Sequence, residues 1–297
     1  MKTNILSLIA ALSLGFGVVS CSQNEIDGNE PGGNGIYSMN FRINHPDCTR
    51  ATETAFENGD KVGLFIRKSD LPLEIAGNFV NNEALTCNGI DWQPGKPLFW
   101  DNGTYCAHAY YPYMSDVSSI EDLPFNVRLD QDAPESGETL SGYEASDFLY
   151  ASAKDVKASS DPVNLIFKHI MSKMTIRLIK GEDFEGELPE NATVLIHNTV
   201  PEATIDLSVG IATRNVRAQK KTITACKTGR TSYAAIIVPQ RLDNRVPLVE
   251  VIMNGVSYLY ESKFIFKPGI HHLVNLVVDK NPEQIKIEIG GEIVNWN

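Results

Sequence analysis

The residues of this 297-residue chain that could do chemistry are five cysteines, six histidines and 37 carboxylates, and their spacing decides what chemistry remains open. His271 and His272 are adjacent in a run that alternates like a strand, so their side chains point to opposite faces and cannot share a metal. His169 continues the line of Val163, Leu165 and Phe167 and is expected as a hydrogen-bonded core or edge residue rather than a general base. The carboxylates are abundant, but abundance alone gives no pair at the separation a glycosidase needs. There is no Gly-x-Ser-x-Gly elbow, no His-Glu-x-x-His and no phosphate loop ending in Gly-Lys-Ser/Thr. No catalytic residue, metal or cofactor is therefore expected, and the chain is not read as an enzyme. Cys48, Cys87, Cys106 and Cys226 contain no Cys-x-x-Cys pair; they admit three disulfide pairings and equally admit buried free thiols. Trp92, Trp100, Tyr110, Tyr111 and Tyr113 could make an aromatic platform for sugar rings, although such side chains at alternating strand positions also serve as packing.

Cys21 is different, because of what precedes it. Lys2 is the only charged side chain ahead of an apolar stretch from Ile5 to Val19, which is too short and too poorly flanked for a transmembrane helix and reads as a secretory signal core. The sequence Val18-Val19-Ser20-Cys21 at its end resembles the lipobox of bacterial lipoproteins. That resemblance implies cleavage before Cys21 and acylation of its thiol and of the new amino terminus, so residues 1–20 would be removed. The alternative is an ordinary signal peptide with an incidental cysteine. Two or three acyl chains on one residue give stable membrane attachment, each buried methylene adding about 0.8 kcal/mol. Residues 22–35 are polar, acidic and rich in Gly and Asn, and are expected as a flexible spacer. Glu25, Asp27 and Glu30 in it resemble the surface-export signals of Bacteroidetes lipoproteins.

The rest of the chain must be built from strands. A composition of 42% hydrophobic and 21% charged residues supports genuine cores. A formal net charge of −11 with no long run of Lys and Arg argues against nucleic acid and anionic lipid as partners. Val62, Leu64 and Ile66 alternate with Lys61, Gly63 and Phe65; Met174, Ile176 and Leu178 alternate with Lys173, Thr175 and Arg177. The same period of two returns at Val249, Val251 and Met253, through Leu273 to Val278, and at Ile285, Ile287 and Ile289. No apolar period of 3.6 is sustained over three turns. The expectation is an all-β protein of two antiparallel β-sandwich domains in tandem, residues 36–180 and 192–297, divided at the acidic, Gly- and Pro-containing segment 181–191.

Five local segments then occur in a telling order: FENGDKVGLF at 56–65, WQPGKPLFW at 92–100, AHAYYPY at 107–113, SDFLYA at 146–151 and LIFKHIMSKM at 165–174. Together they resemble the N-terminal domain of the fimbrillin family of Bacteroidetes, the Mfa-like and FimA-like fimbrial subunits. Val238-Pro239-Gln240, Phe266-Lys267-Pro268-Gly269 and a last strand ending Ile293-Val294-Asn295-Trp296 extend the resemblance over nearly the whole mature chain. It implies transthyretin-like sandwiches, export to the outer membrane as a lipoprotein, incorporation into a surface fimbrium that supports adhesion, and polymerisation with other subunits by strand exchange. In that scheme an Arg-specific protease removes the first strand and a neighbour's C-terminal strand fills the gap. Here the first strand would be residues 36–43, followed by an exposed turn at 44–49 carrying Pro46. Arg50 matches the maturation arginine. The donor strand would run from Ile285 to Trp296, with Ile285, Ile287, Ile289, Ile293 and Trp296 as its apolar residues. Gly290-Gly291 would mark a bulge or bend within it. Arg50 could otherwise be a solvated loop residue, and the tail could be the last strand of its own domain. The competing functional reading is a surface glycan-binding lipoprotein using the aromatic platform; pilus genes beside this one would favour the first reading, polysaccharide-uptake genes the second.

Overall fold

A computed structural model describes residues 37–46, 55–137, 139–280, 286–288 and 293–295, the last two as backbone strands, and the described body is one compact unit. It is all β: among the described residues the one helical element is a single 3₁₀ turn, Glu144–Ser146.

The first sheet orders its strands Trp92–Pro94, Val80–Cys87, Lys61–Lys68, Thr104–Tyr111, Leu149–Lys157 and Lys168–His169, every neighbouring pair antiparallel. Its central strands are buried on both faces. One face (Val62, Leu64, Ile66, Tyr105, Ala107, Ala109, Leu149) joins Met39, Trp100, Val163, Leu165 and Phe167 in a first core. The other presents Phe65, Tyr110, Phe148 and Tyr150 to a second, larger core. Gly63 is what lets the Tyr110 ring lie flat on that second face, since a Cβ there would stand 2.2 Å from Tyr110 Cε1.

Three further sheets build the larger core. Ser172–Lys180 runs antiparallel to Ser232–Ile237 and parallel to Ile270–Val278, with Cys226–Lys227 beyond the former. Lys221–Thr224, Thr193–Thr199, Gln240–Met253 and Val256–Phe266 form an antiparallel four-stranded sheet. Its last two strands turn at Asn254-Gly255, both in the left-handed region (φ 52° and 76°) as a tight twisted hairpin requires. Met174, Ile176, Leu178 and Leu276 from one sheet and Val194, Ile196, Val249 and Val251 from the other share the core, which makes a sandwich. The third sheet, Ile211–Arg214, Glu202–Asp206 and Leu123–Asn126, closes over the back of the first. There Tyr150 lies against Gly210, where φ is +71° and a Cβ would come within 2.0 Å of the ring.

Two placements differ from the expected division of the chain. Ser172–Lys180, assigned by its alternation to the first half, pairs only with strands from the second half. Leu123–Asn126, from the first half, pairs with Glu202–Asp206. The segment 181–191 is also tied down: the Gly181 N–H donates to the Val278 carbonyl at 2.9 Å, and Leu188 is buried in the larger core. Not every pairing is antiparallel either, since Phe41–Asn44 runs parallel to Val163–Ile166.

Candidate functional site

The N-terminal strand is held by two edges at once. Along residues 37–45, Tyr37, Met39, Phe41, Ile43 and His45 turn inward while Ser38, Asn40, Arg42 and Asn44 face solvent. Met39 is buried, and Tyr37, Phe41 and Ile43 rest against the first core. On one flank the Met39 N–H donates to the Leu98 carbonyl and the Trp100 N–H to the Tyr37 carbonyl, both at 2.8 Å, across an antiparallel bridge Ser38–Phe99. On the other flank the Val163 N–H donates to the Asn40 carbonyl at 2.8 Å and the Phe167 N–H to the Asn44 carbonyl at 3.1 Å. The exposed amides of Asn40 and Asn44 add bonds to the Ser160 carbonyl and to Asn164 Oδ1, each 3.2 Å. Withdrawing the strand would therefore leave unpaired backbone on two facing edges with apolar side chains between them. Pro46, expected in an exposed turn, is buried at the strand's end. Arg50 lies outside the described residues.

A cavity of about 500 Å³ opens at that end. His169 is buried there with Nδ1 2.8 Å from Asp147 Oδ2, as befits a core histidine held by a carboxylate. His45 meets it edge-on, ring centroids 5.9 Å apart. The Tyr111 hydroxyl donates to Asp60 Oδ1 at 3.2 Å, and burial, with the Asp60 charge, raises its pKa far above the ordinary phenol value. Such a phenol stays protonated and donates; it is no base.

The C-terminal tail pairs with its own chain. Lys286–Glu288 lies antiparallel to Asn275–Val277, and Ile293–Asn295 antiparallel to residues 270–272, both on the free edge of Ile270–Val278. From Glu288 opposite Asn275 to Ile293 opposite His272, the tail spends five residues where the strand spends three, so two extra residues fall in the stretch that contains Gly290-Gly291. Ile287 and Ile293 are thus on strands, whereas Ile285, Ile289 and Trp296 lie outside the described residues, as does Cys21. The N-terminal strand and the tail do not pair with each other; they occupy different sheets.

The remaining chemistry-bearing groups are dispersed. Cys87 and Cys106 are buried free thiols and Cys226 is a half-buried one, while Cys48 lies outside the described residues. His271 bonds Thr175 Oγ1 at 2.8 Å, whereas His272 sits edge-on to Phe264 and Phe266 on the opposite face. Among the described residues no three His, Cys, Asp or Glu side chains are grouped to hold a metal. The aromatic platform does not form: Trp100, Tyr110 and Tyr111 are buried in two different cores, and half-buried Trp92 is turned edge-on to Phe56. The pairing of residues 37–45 with both 98–100 and 160–167 carries no local signal in sequence, because the partners lie some 60 and 120 residues away.

A family model described as fimbrillin-like matches residues 49–296. Curated proteins give no match. Among solved structures the chain is similar to a protein from Bacteroides uniformis described as a candidate for cell adhesion, with a TM-score of 0.68 and 17% identity over 90% of this chain and 100% of that one. A second such protein, from Bacteroides ovatus, gives 0.68 and 20% over 90% and 99%. The tip fimbrial protein Mfa3 from Porphyromonas gingivalis gives 0.51 and 7% over 80% and 95%. At these identities the likeness is one of fold.

Proposed function

The chain belongs to the fimbrillin-like family, and from that premise we propose that it is a structural subunit of a cell-surface fimbrium, exported as an outer-membrane lipoprotein through Cys21 and joined to neighbouring subunits by strand exchange. The observation that carries this reading is the doubly flanked N-terminal strand. Cleavage after Arg50 would free residues 37–45, whose hold is a set of backbone bonds worth about 0.5–1.5 kcal/mol each and a few half-buried apolar side chains worth at most about 1.5–3 kcal/mol each. A strand of similar alternation recovers the same terms, which is how β-augmentation works. The tail supports the donor role, being held to Ile270–Val278 by two separate three-residue ladders.

Limited trypsin treatment of the purified protein tests the exchange. Cleavage after Arg50 should convert monomer to stable oligomers, and Arg50→Ala or removal of residues 285–297 should suppress them. In cells, a labelled fatty acid should mark the wild type and not Cys21→Ala. A cleaved protein that stays monomeric at high concentration, alone and with neighbouring subunits, would sink the proposal.

A further inference from the structure

The chain's excess of acid is not spread evenly. Residues 207–242 contain no Asp or Glu and seven Lys or Arg, in a protein whose formal net charge is −11. Three of the seven are engaged: Arg230 lies 3.1 Å from Glu190 Oε1, Lys227 Nζ donates to the Glu190 carbonyl at 2.5 Å, and Arg241 pairs with Asp243. The other four, Arg214, Arg217, Lys220 and Lys221, have no carboxylate partner among the described residues. They lie on the connection from Ile211–Arg214 to Lys221–Thr224. That connection has a defined shape. The Asn215 N–H donates to the Glu202 carbonyl at 2.9 Å, and the Arg217 and Ala218 N–H groups donate back to Asn215 at 3.0 and 3.2 Å.

Lys220 and Lys221 also wall a pocket of about 410 Å³ against the four-stranded sheet. His197 spans it, with Nδ1 2.9 Å from Thr222 Oγ1 and Nε2 2.8 Å from Glu250 Oε2. Glu250 is the one carboxylate in the wall, and its other oxygen accepts from the Ser257 hydroxyl at 2.5 Å, so its charge is already matched by donors. Asn198 donates to the Pro247 carbonyl at 2.8 Å from a left-handed backbone (φ 61°). The pairing with Lys221–Thr224 is irregular at it, between Ile196 and Thr199, and the neighbouring strand is irregular against Val256–Phe266 between Pro247 and Val249. A non-glycine residue in that conformation costs energy and concentrates at functional surfaces. Leu259, 45% exposed, supplies an apolar wall.

We infer that this pocket and the basic loop beside it form a binding site for an anionic polysaccharide. Leu259 and Pro247 offer a surface for a sugar ring, and the Asn198 side-chain carbonyl and the Thr222 hydroxyl keep capacity to bond its hydroxyls, while His197 has both ring nitrogens engaged in holding the wall. Lys220 and Lys221 meet the acid group of one sugar, and Arg217 and Arg214 meet acids of the next units. The wall holds no Phe, Tyr or Trp on which a nucleobase could stack. The site stands on observations separate from those behind strand exchange and holds whether or not the strands exchange.

The test titrates the purified protein with oligosaccharides of hyaluronan (carboxylates only) and heparin (carboxylates and sulfates), neutral dextran, and single- and double-stranded DNA of matched length. Binding of hyaluronan, heparin or both is expected, weakening steeply between about 0.1 and 0.5 M salt, with none to dextran. Which of the two binds more tightly tells carboxylate from sulfate recognition. Lys220→Gln with Lys221→Gln should weaken binding about tenfold or more, whereas Lys96→Gln with Lys157→Gln on the first sheet should leave it within about twofold. Asn198→Gly, which keeps the backbone conformation and the net charge, should weaken glycan binding while leaving the thermal midpoint close to wild type. The inference is overturned by failure of both charged glycans to bind, by DNA binding as tightly as they do, or by equal losses from the two lysine pairs.

Discussion

His108 is a polar side chain placed where the first sheet meets the turn after Glu202–Asp206. It is 5% exposed, with Nδ1 2.8 Å from the Tyr150 hydroxyl, which in turn donates to the Ser208 carbonyl at 3.4 Å. Burial, helped by the Arg67 cation, holds its pKa down at about 4. His271 and His272 are pushed to about 4 by the same leading cause. The folded protein therefore refuses a proton that the unfolded chain accepts near pH 6.5, so stability is full above that pH and is lost as pH falls from about 6.5 towards 4. The Glu250 carboxylate, its pKa lowered by the Ser257 hydroxyl, acts in the same direction at the acid end. A single substitution separates the terms. His108→Gln, able to keep the bond to Tyr150, should remove about 1–3 kcal/mol of the stability change between pH 7 and pH 4, measured as urea unfolding at a series of pH values. Equal slopes in the two proteins would mean that His108 is solvated in the fold.

At the scale of the element, the N-terminal strand makes a sharp internal comparison. Met39, bonded at the 98–100 edge, faces the core, and Arg42, in the ladder with Val163–Ile166, faces solvent. Met39→Ala should cost about 2–4 kcal/mol and Arg42→Ala less than about 0.5 kcal/mol in chemical denaturation; similar costs would mean that the strand is not seated as described. Its place as a first strand was expected from the resemblance alone, whereas the alternations at Val163 to Phe167 and Met174 to Leu178 were legible in sequence. What alternation cannot convey is whether the second face is wet. Phe65, set opposite Val62, Leu64 and Ile66, is 1% exposed because a third layer, the Leu123–Asn126 sheet, covers it. Nor does alternation name partners. Ser172–Lys180 looks like a continuation of the strand that ends at His169, and it is pairing with Ser232–Ile237 and Ile270–Val278, some 60 and 100 residues on, that moves it to the other core. For the same reason the tail was legible as strand, while the edge that Lys286–Glu288 and Ile293–Asn295 occupy was not. The basic pocket escaped notice because a chain-wide charge of −11 averages over the acid-free stretch that builds it.

Across the whole molecule, the first sheet is a wall common to two cores, and Phe65, Tyr110, Phe148 and Tyr150 belong to the larger of them. Removing either core strips one face of that wall. Urea unfolding followed by tryptophan fluorescence and by far-ultraviolet circular dichroism should therefore give one coincident transition; two separated midpoints would show that the cores fold independently. The direction of the N-terminal strand has a consequence of its own. It runs parallel to Val163–Ile166 and antiparallel to residues 98–100, so its slot distinguishes head from tail. A replacement strand that keeps the same bonds must thread it in that one sense. If the replacement is the tail of another copy, every junction is threaded in that same sense. A head-to-tail assembly then keeps one vacant slot at one end and one unused tail at the other, and it lengthens as a polar chain.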